Sequence, residues 1–146
     1  MTATRIPLFE PKAPITEAMI RHLVHSFYAR VRQDGELGPI FERVIGDGWD
    51  GHLATMVDFW SSVSLGTGRY RGKPHLAHRD LGLSPEHFQR WLTLFRETAS
   101  ETCPEEAAAF FLDRANRIAD SLQIGLNIGP KALNLPDRRS GARTAS

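Results

Sequence analysis

Sulfur chemistry is almost absent from this chain. Cys103 is its one cysteine, so neither an intramolecular disulfide nor a thiolate metal cluster can form, as suits a reducing, cytoplasmic setting. Long apolar runs are missing too. No stretch approaches the ~20 residues of a membrane span. Pro7, Glu10, Pro11 and Pro14 stand where a secretory signal would need an apolar core, so a soluble intracellular protein is expected. Neither sign of charge prevails: with a formal net charge of +1, neither nucleic acid nor an anionic membrane is an expected partner, and Arg138, Arg139 and Arg143 read as a solvated tail. The chain also lacks strand-like alternation, internal repeats, a phosphate-binding glycine loop, a nucleophile elbow, a zincin motif and the Glu-x-x-His pairs of di-iron bundles.

What the chain does have is helical periodicity. Its 146 residues, 41% of them hydrophobic, suit one domain whose core is large enough to enclose a cofactor. From about Thr16 to Asp34, Met19, Ile20, Leu23, Val24, Phe27, Tyr28 and Val31 recur at spacings of three and four, and Gly35 with Gly38-Pro39 is expected to end that helix. A second helix is predicted from about Asp50 to Leu65, with Leu53, Met56, Val57, Trp60 and Ser64 inward and His52 at the edge of that face. A turn-rich stretch from Thr67 to Pro74 leads to a short helix around His75 to Arg79, broken by Gly82. Ser84-Pro85-Glu86 then has the cap, proline and acidic residue of a helix start, with the inner stripe Phe88, Trp91, Leu92 and Phe95. Thr102 or Cys103 before Pro104-Glu105-Glu106 begins a fourth long helix, striped by Ala107, Phe111, Ala115, Ile118 and Leu122. The fold class is all-α, with residues 15–128 as the domain between an irregular N-terminal extension (1–14) and an irregular basic tail (129–146).

Few residues carry chemistry. A histidine able to ligate iron, opposed by hydroxyl, imidazole and indole donors from other helices, is the composition a haem pocket needs to hold a diatomic gas. His78, Tyr28, His52, Trp60 and Trp91 offer those groups. Each also has a plainer reading. Tyr28 follows Phe27 on an apolar face, where a packed aromatic is the commoner fate, and Trp60 and Trp91 are core residues first. His75 and His78 form an i,i+3 pair that suits surface, core or metal alike, and His22 with His25 fits a solvated flank. Taken one by one, these residues define a helical domain in which a histidine-ligated cofactor is one option.

Their order says more. Phe27-Tyr28-Ala29-Arg30-Val31, Leu37-Gly38-Pro39-Ile40-Phe41, Trp49-x-x-His52, Phe59-Trp60, Tyr70-Arg71-Gly72-Lys73-Pro74, His78 and His87-Phe88-x-x-Trp91-Leu92-x-Leu94-Phe95 follow one another along residues 15 to 128. This succession resembles the truncated haemoglobins, and among them group III. The resemblance implies a shortened globin fold: a two-on-two helical sandwich around haem b and its iron, the first globin helix reduced or lost. It implies His78 as the proximal iron ligand, Tyr28 and His52 as the distal tyrosine and histidine, Trp91 as the distal tryptophan and Phe41 as the phenylalanine packed on the haem face. The glycine-pair motifs of other truncated groups are missing, as group III leads one to expect.

The chemistry of these residues agrees. Neutral imidazole is a good donor to iron, and one axial histidine leaves the other position free for gas. Dioxygen held by ferrous iron takes on negative charge, so the Tyr28 O–H and the Trp91 N–H would stabilise it. His52 has three open roles: donor to ligand, gate, or iron ligand when no gas is present. Met56 and Phe27 would form the apolar wall, and Tyr70, Arg71, Lys73 and Arg79 are candidate partners of the haem propionates. Tight binding and slow release suit chemistry better than oxygen transport. The expected partners are therefore dioxygen and, by extension, nitric oxide, carbon monoxide or peroxide. A nitric oxide dioxygenase or peroxidase-like activity would draw on an external reductase, since the chain has no flavin or nicotinamide motif. A gas sensor or store is the alternative; the chain shows no output domain to serve it.

Overall fold

The computed structural model describes residues 14–72, 74, 78–79 and 81–130. Among them every regular element is a helix. Helix α1 spans Glu17–Gln33; the Thr16 hydroxyl caps it by accepting the Met19 N–H at 3.1 Å, and the expected face of Ile20, Leu23, Val24, Phe27, Tyr28 and Val31 is buried.

Helix α2, Leu37–Ile45, corrects the expectation that Gly38-Pro39 lies in a helix-ending turn. Two properties of the first helical turn explain the difference. Pro39 sits where a backbone N–H has no helical partner, so its missing donor costs nothing. Gly38 is buried so tightly against α1 that a Cβ would lie 2.7 Å from the Arg32 carbonyl oxygen. The Asp34 carboxylate then takes over the capping: Oδ2 accepts the N–H groups of Glu36 at 3.0 Å and Leu37 at 2.9 Å.

Helix α3 spans Trp49–Leu65 and closes on Gly66, whose φ of 70° is the left-handed conformation that glycine adopts freely. Trp49, Trp60 and Ser61 are its buried residues, so the inward face begins one turn earlier than predicted, at Trp49. Helix α4, Pro85–Thr102, starts at Ser84 as expected, and α5, Glu105–Gly125, has Pro104 itself at the N-cap. The inner stripe of α5 is Ala107, Phe111, Ala115, Ala119 and Gln123, while Ile118 and Leu122 face a cavity. Most of the short helix expected around His75 to Arg79 lies outside the described residues.

Helices α1 and α3 form one packed pair and α4 and α5 the other; α1 also packs on α4, and α2 on both α1 and α4. This is the two-on-two sandwich. Aromatic rings join the pairs: Trp60 stacks on Phe95 with centroids 5.2 Å apart and meets Phe111 edge-on at 5.9 Å. At the rim, Arg69 bonds Glu17 and Asp58, each at 2.9 Å, tying the segment after α3 back to α1. No described helix is long and apolar enough to cross a membrane.

Candidate functional site

A cavity of about 300 Å³ lies within this frame, with walls drawn from all five described helices and from Tyr70, Pro74, His78, Leu81 and Leu83. None of its lining residues is Asp, Glu, Lys or Arg; apart from the indoles, its polar groups belong to Tyr28, His52, Thr55, Tyr70, His78 and His87. A site with an apolar lining and a few placed polar groups is what a largely apolar ligand requires.

One of those groups is a Lewis base. The Nδ1 of His78 lies 2.6 Å from the Pro74 carbonyl oxygen. A carbonyl only accepts, so Nδ1 must carry the proton, which leaves the lone pair on Nε2. Among the described residues no group of three or more His, Cys, Asp or Glu side chains could hold a metal ion, so a metal in the cavity would draw on fewer than three of them.

Two other polar groups gather around Tyr28. Its ring meets that of His52 edge-on at 5.1 Å, and the Trp91 indole N–H faces its oxygen. Burial pushes the phenol well above its ordinary range, with the Trp91 bond opposing this in part, so Tyr28 stays protonated. An indole N–H can only donate, so the phenol proton is left for another acceptor. His52 Nε2 is buried without a hydrogen-bond partner, a state that costs about 1–3 kcal/mol unless something fills it. Burial and, second, the proximity of His78 push the His52 imidazole below its usual value, towards the neutral form.

The other sequence-predicted residues divide. Phe41 and Met56 line the cavity, and Phe41 sits 5.9 Å from Tyr28 and stacks on Trp49 at 6.5 Å. Phe27 lies one layer behind, 2% exposed and edge-on to Trp91 at 5.4 Å; it supports the wall and is not among its lining residues. Tyr70 lines the cavity, its N–H bonded to Ser62 Oγ at 2.9 Å. Gly72 folds so closely over Tyr70 that a Cβ there would come within 2.5 Å of the phenol oxygen. Arg71 and Arg79 are exposed and absent from the lining, and Lys73 and His75 fall outside the described residues.

Two residues gain importance that sequence reasoning did not give them. Trp49 is buried, edge-on to His52 at 5.6 Å, with Arg32 at 4.4 Å over its ring and its N–H pointing to Glu42 at 3.4 Å. The one-turn spacing of Trp49 and His52 was the available signal. His87 enters the wall from the start of α4.

These residues fit haem. An apolar cavity suits the macrocycle, the free Nε2 of His78 suits ferrous or ferric iron, and the unpaired Nε2 of His52 and the spare proton of Tyr28 suit a polar diatomic ligand. Comparison with known proteins points the same way. A profile of the Bacterial-like globin family matches residues 15–123. The chain is 40% identical over 113 residues to the Group 3 truncated hemoglobin of Campylobacter jejuni, covering 75% of this chain and 89% of that protein. It superposes on the crystal structure of the group III truncated hemoglobin from Campylobacter jejuni with a TM-score of 0.73 and 38% identity, over 80% of this chain and 95% of that one. With its described helices in this arrangement and a cavity of this composition, the chain belongs to the group III truncated haemoglobins, a family of haem-based gas-binding globins.

Proposed function

We propose that this protein holds haem b through His78, binds dioxygen and related diatomic ligands beside Tyr28, Trp91 and His52, and uses them in redox chemistry on nitric oxide or peroxide with electrons from a separate reductase. The observation that carries this reading is the meeting, in one apolar cavity, of a Lewis-basic imidazole with neutral hydrogen-bond donors. Bound there, haem would supply an iron that takes imidazole on one side and a gas on the other.

The chain's own residues supply the rest. The Pro74 carbonyl orients the His78 ring and keeps the lone pair on its Nε2. Trp91 fixes the Tyr28 oxygen, so the phenol proton is held ready for a ligand that carries partial negative charge. Each such bond contributes about 1.5–3 kcal/mol, so a ligand held by two of them leaves slowly, which favours turnover over transport. His52 adds a third polar group that burial keeps neutral. The apolar walls exclude water, and with no flavin or nicotinamide motif in the sequence, electrons come from a partner.

Two experiments test the proposal. His78→Ala should lose haem or retain it only with added imidazole, and an unchanged haem spectrum would refute the ligand assignment. Stopped-flow mixing of the oxygenated protein with nitric oxide should give nitrate and ferric haem, or the ferric protein should turn over peroxide, faster than a muscle oxygen-storage globin does. Rates no better than that, and indifferent to Tyr28→Phe with Trp91→Phe, would favour a sensor or store.

A further inference from the structure

The cavity wall contains a second imidazole whose hydrogen bonding is the inverse of His78's. His87 is the third residue of α4, and its Nδ1 accepts the Ser84 backbone N–H at 3.0 Å, with Ser84 Oγ a further 3.2 Å contact. A backbone N–H only donates, so Nδ1 must hold the lone pair and Nε2 the proton. His78, facing a carbonyl, has the opposite tautomer. The backbone thus sorts the two rings, making His78 Nε2 a base and His87 Nε2 a donor.

Sequence position sharpens the contrast. The third helical residue is where Glu or Gln usually reaches back to the N-cap N–H. A glutamate at position 87 would cap α4 equally well but would bring negative charge to the cavity wall. Histidine caps the helix and still leaves an N–H for the cavity. Ligating iron through Nε2 would require either losing that proton or releasing the Ser84 N–H, so His87 is a poor competitor for metal.

The wall has a use for such a donor. Haem carries two carboxylates, and among the described residues no Lys or Arg lines the cavity, while Arg71 and Arg79 are exposed outside it. Thr55 lines it, but its hydroxyl already donates to the Gly51 carbonyl at 3.0 Å. We propose that His87 is a tautomer-locked hydrogen-bond donor to a carboxylate of the bound cofactor, kept from competing with His78 by its bond to Ser84; this rests on the haem reading above.

The test compares haem with its dimethyl ester, measuring transfer of each from the loaded protein to excess apomyoglobin by absorbance. In the wild type the ester should leave about 10-fold faster, because it cannot accept a charge-assisted bond. In His87→Leu that difference should vanish. His87→Glu, which keeps a capping side chain at the start of α4, should reverse it and hold the ester better than the free acid. Two-bond ¹⁵N–¹H correlation on the ferrous carbon monoxide complex should find the His87 proton on Nε2. The same ester effect in all three proteins, or a proton on Nδ1, would overturn the proposal while leaving the haem reading standing. A wild type that takes up no haem would overturn both.

Discussion

The Tyr28 oxygen faces the Trp91 N–H and the phenol keeps its own proton, so replacing it with Phe separates packing from hydrogen bonding. The ring contacts with Phe27 at 4.9 Å and His52 at 5.1 Å survive that change. Tyr28→Phe should therefore leave stability nearly unaltered and speed dioxygen release about 10-fold or more. Carbon monoxide, which carries less negative charge, should respond less. Ligand-replacement kinetics on both gases would check this, and equal effects would mean that access had changed instead. Tyr28, Phe41, His52, Met56, Tyr70, His78 and Trp91 all line the cavity; the sequence grouped them by their order along the chain and, for Met56, by its one-turn spacing from His52. Phe27 was assigned to the wall by adjacency to Tyr28, yet successive helical residues point roughly 100° apart, and Phe27 turns instead towards Phe95, 5.2 Å away. Arg71 and Arg79 were chosen by nearness along a loop, where no periodicity indicates which side chains turn inward. His87 escaped notice because its capping role replaces the residue types usually sought there.

At the level of elements, α2 was the least legible, since glycine and proline together read as a turn. The missing information was tertiary: a close approach to α1 and a carboxylate outside the helix. Asp34 supplies that carboxylate, and its Oδ1 also accepts from Arg90 Nε at 2.8 Å, linking the start of α2 to α4. The Arg90 guanidinium, helped by the Leu37 and Glu36 N–H groups, holds the Asp34 carboxyl below the usual aspartate range despite its burial. A folded-state value below the unfolded one means that the charged carboxylate stabilises the fold above the unfolded value. That contribution is lost as pH falls through the folded value. Asp34→Asn should be less stable by about 1–2 kcal/mol at neutral pH, and the gap to wild type should stay level down to about pH 5 and close below about pH 4. Urea midpoints across that range measure it. A gap that persists at low pH would assign the effect to shape rather than charge.

For the whole molecule, the all-α class was readable from periodicity, because four of the five described helices carry apolar residues at three- and four-residue spacings over four or more turns. Their joining was not, since ring-to-ring packing between distant helices leaves no local trace. Phe111 is fully buried between Trp60 and Phe110 and is not among the residues that line the cavity. Phe111→Ala should cost about 3–5 kcal/mol, a large share of a domain's total, and lower the urea midpoint of the cofactor-free protein sharply. A loss below about 1 kcal/mol would mean that this core can collapse around the gap.

Five residues of α2, Leu37, Ile40, Phe41, Val44 and Ile45, line the cavity, yet only Leu37 and Gly38 of that helix are fully buried and Val44 is 48% exposed. Much of what α2 rests on is thus supplied by whatever fills the cavity. In the currency of local opening, α2 should be the element whose backbone amides change most when haem is added. Helix α5 around Phe111, buried against other helices, should change least. Hydrogen–deuterium exchange should show α2 amides slowing at least about 10-fold more than those near Phe111. Uniform slowing along the chain would mean that the five helices open and close only as one body.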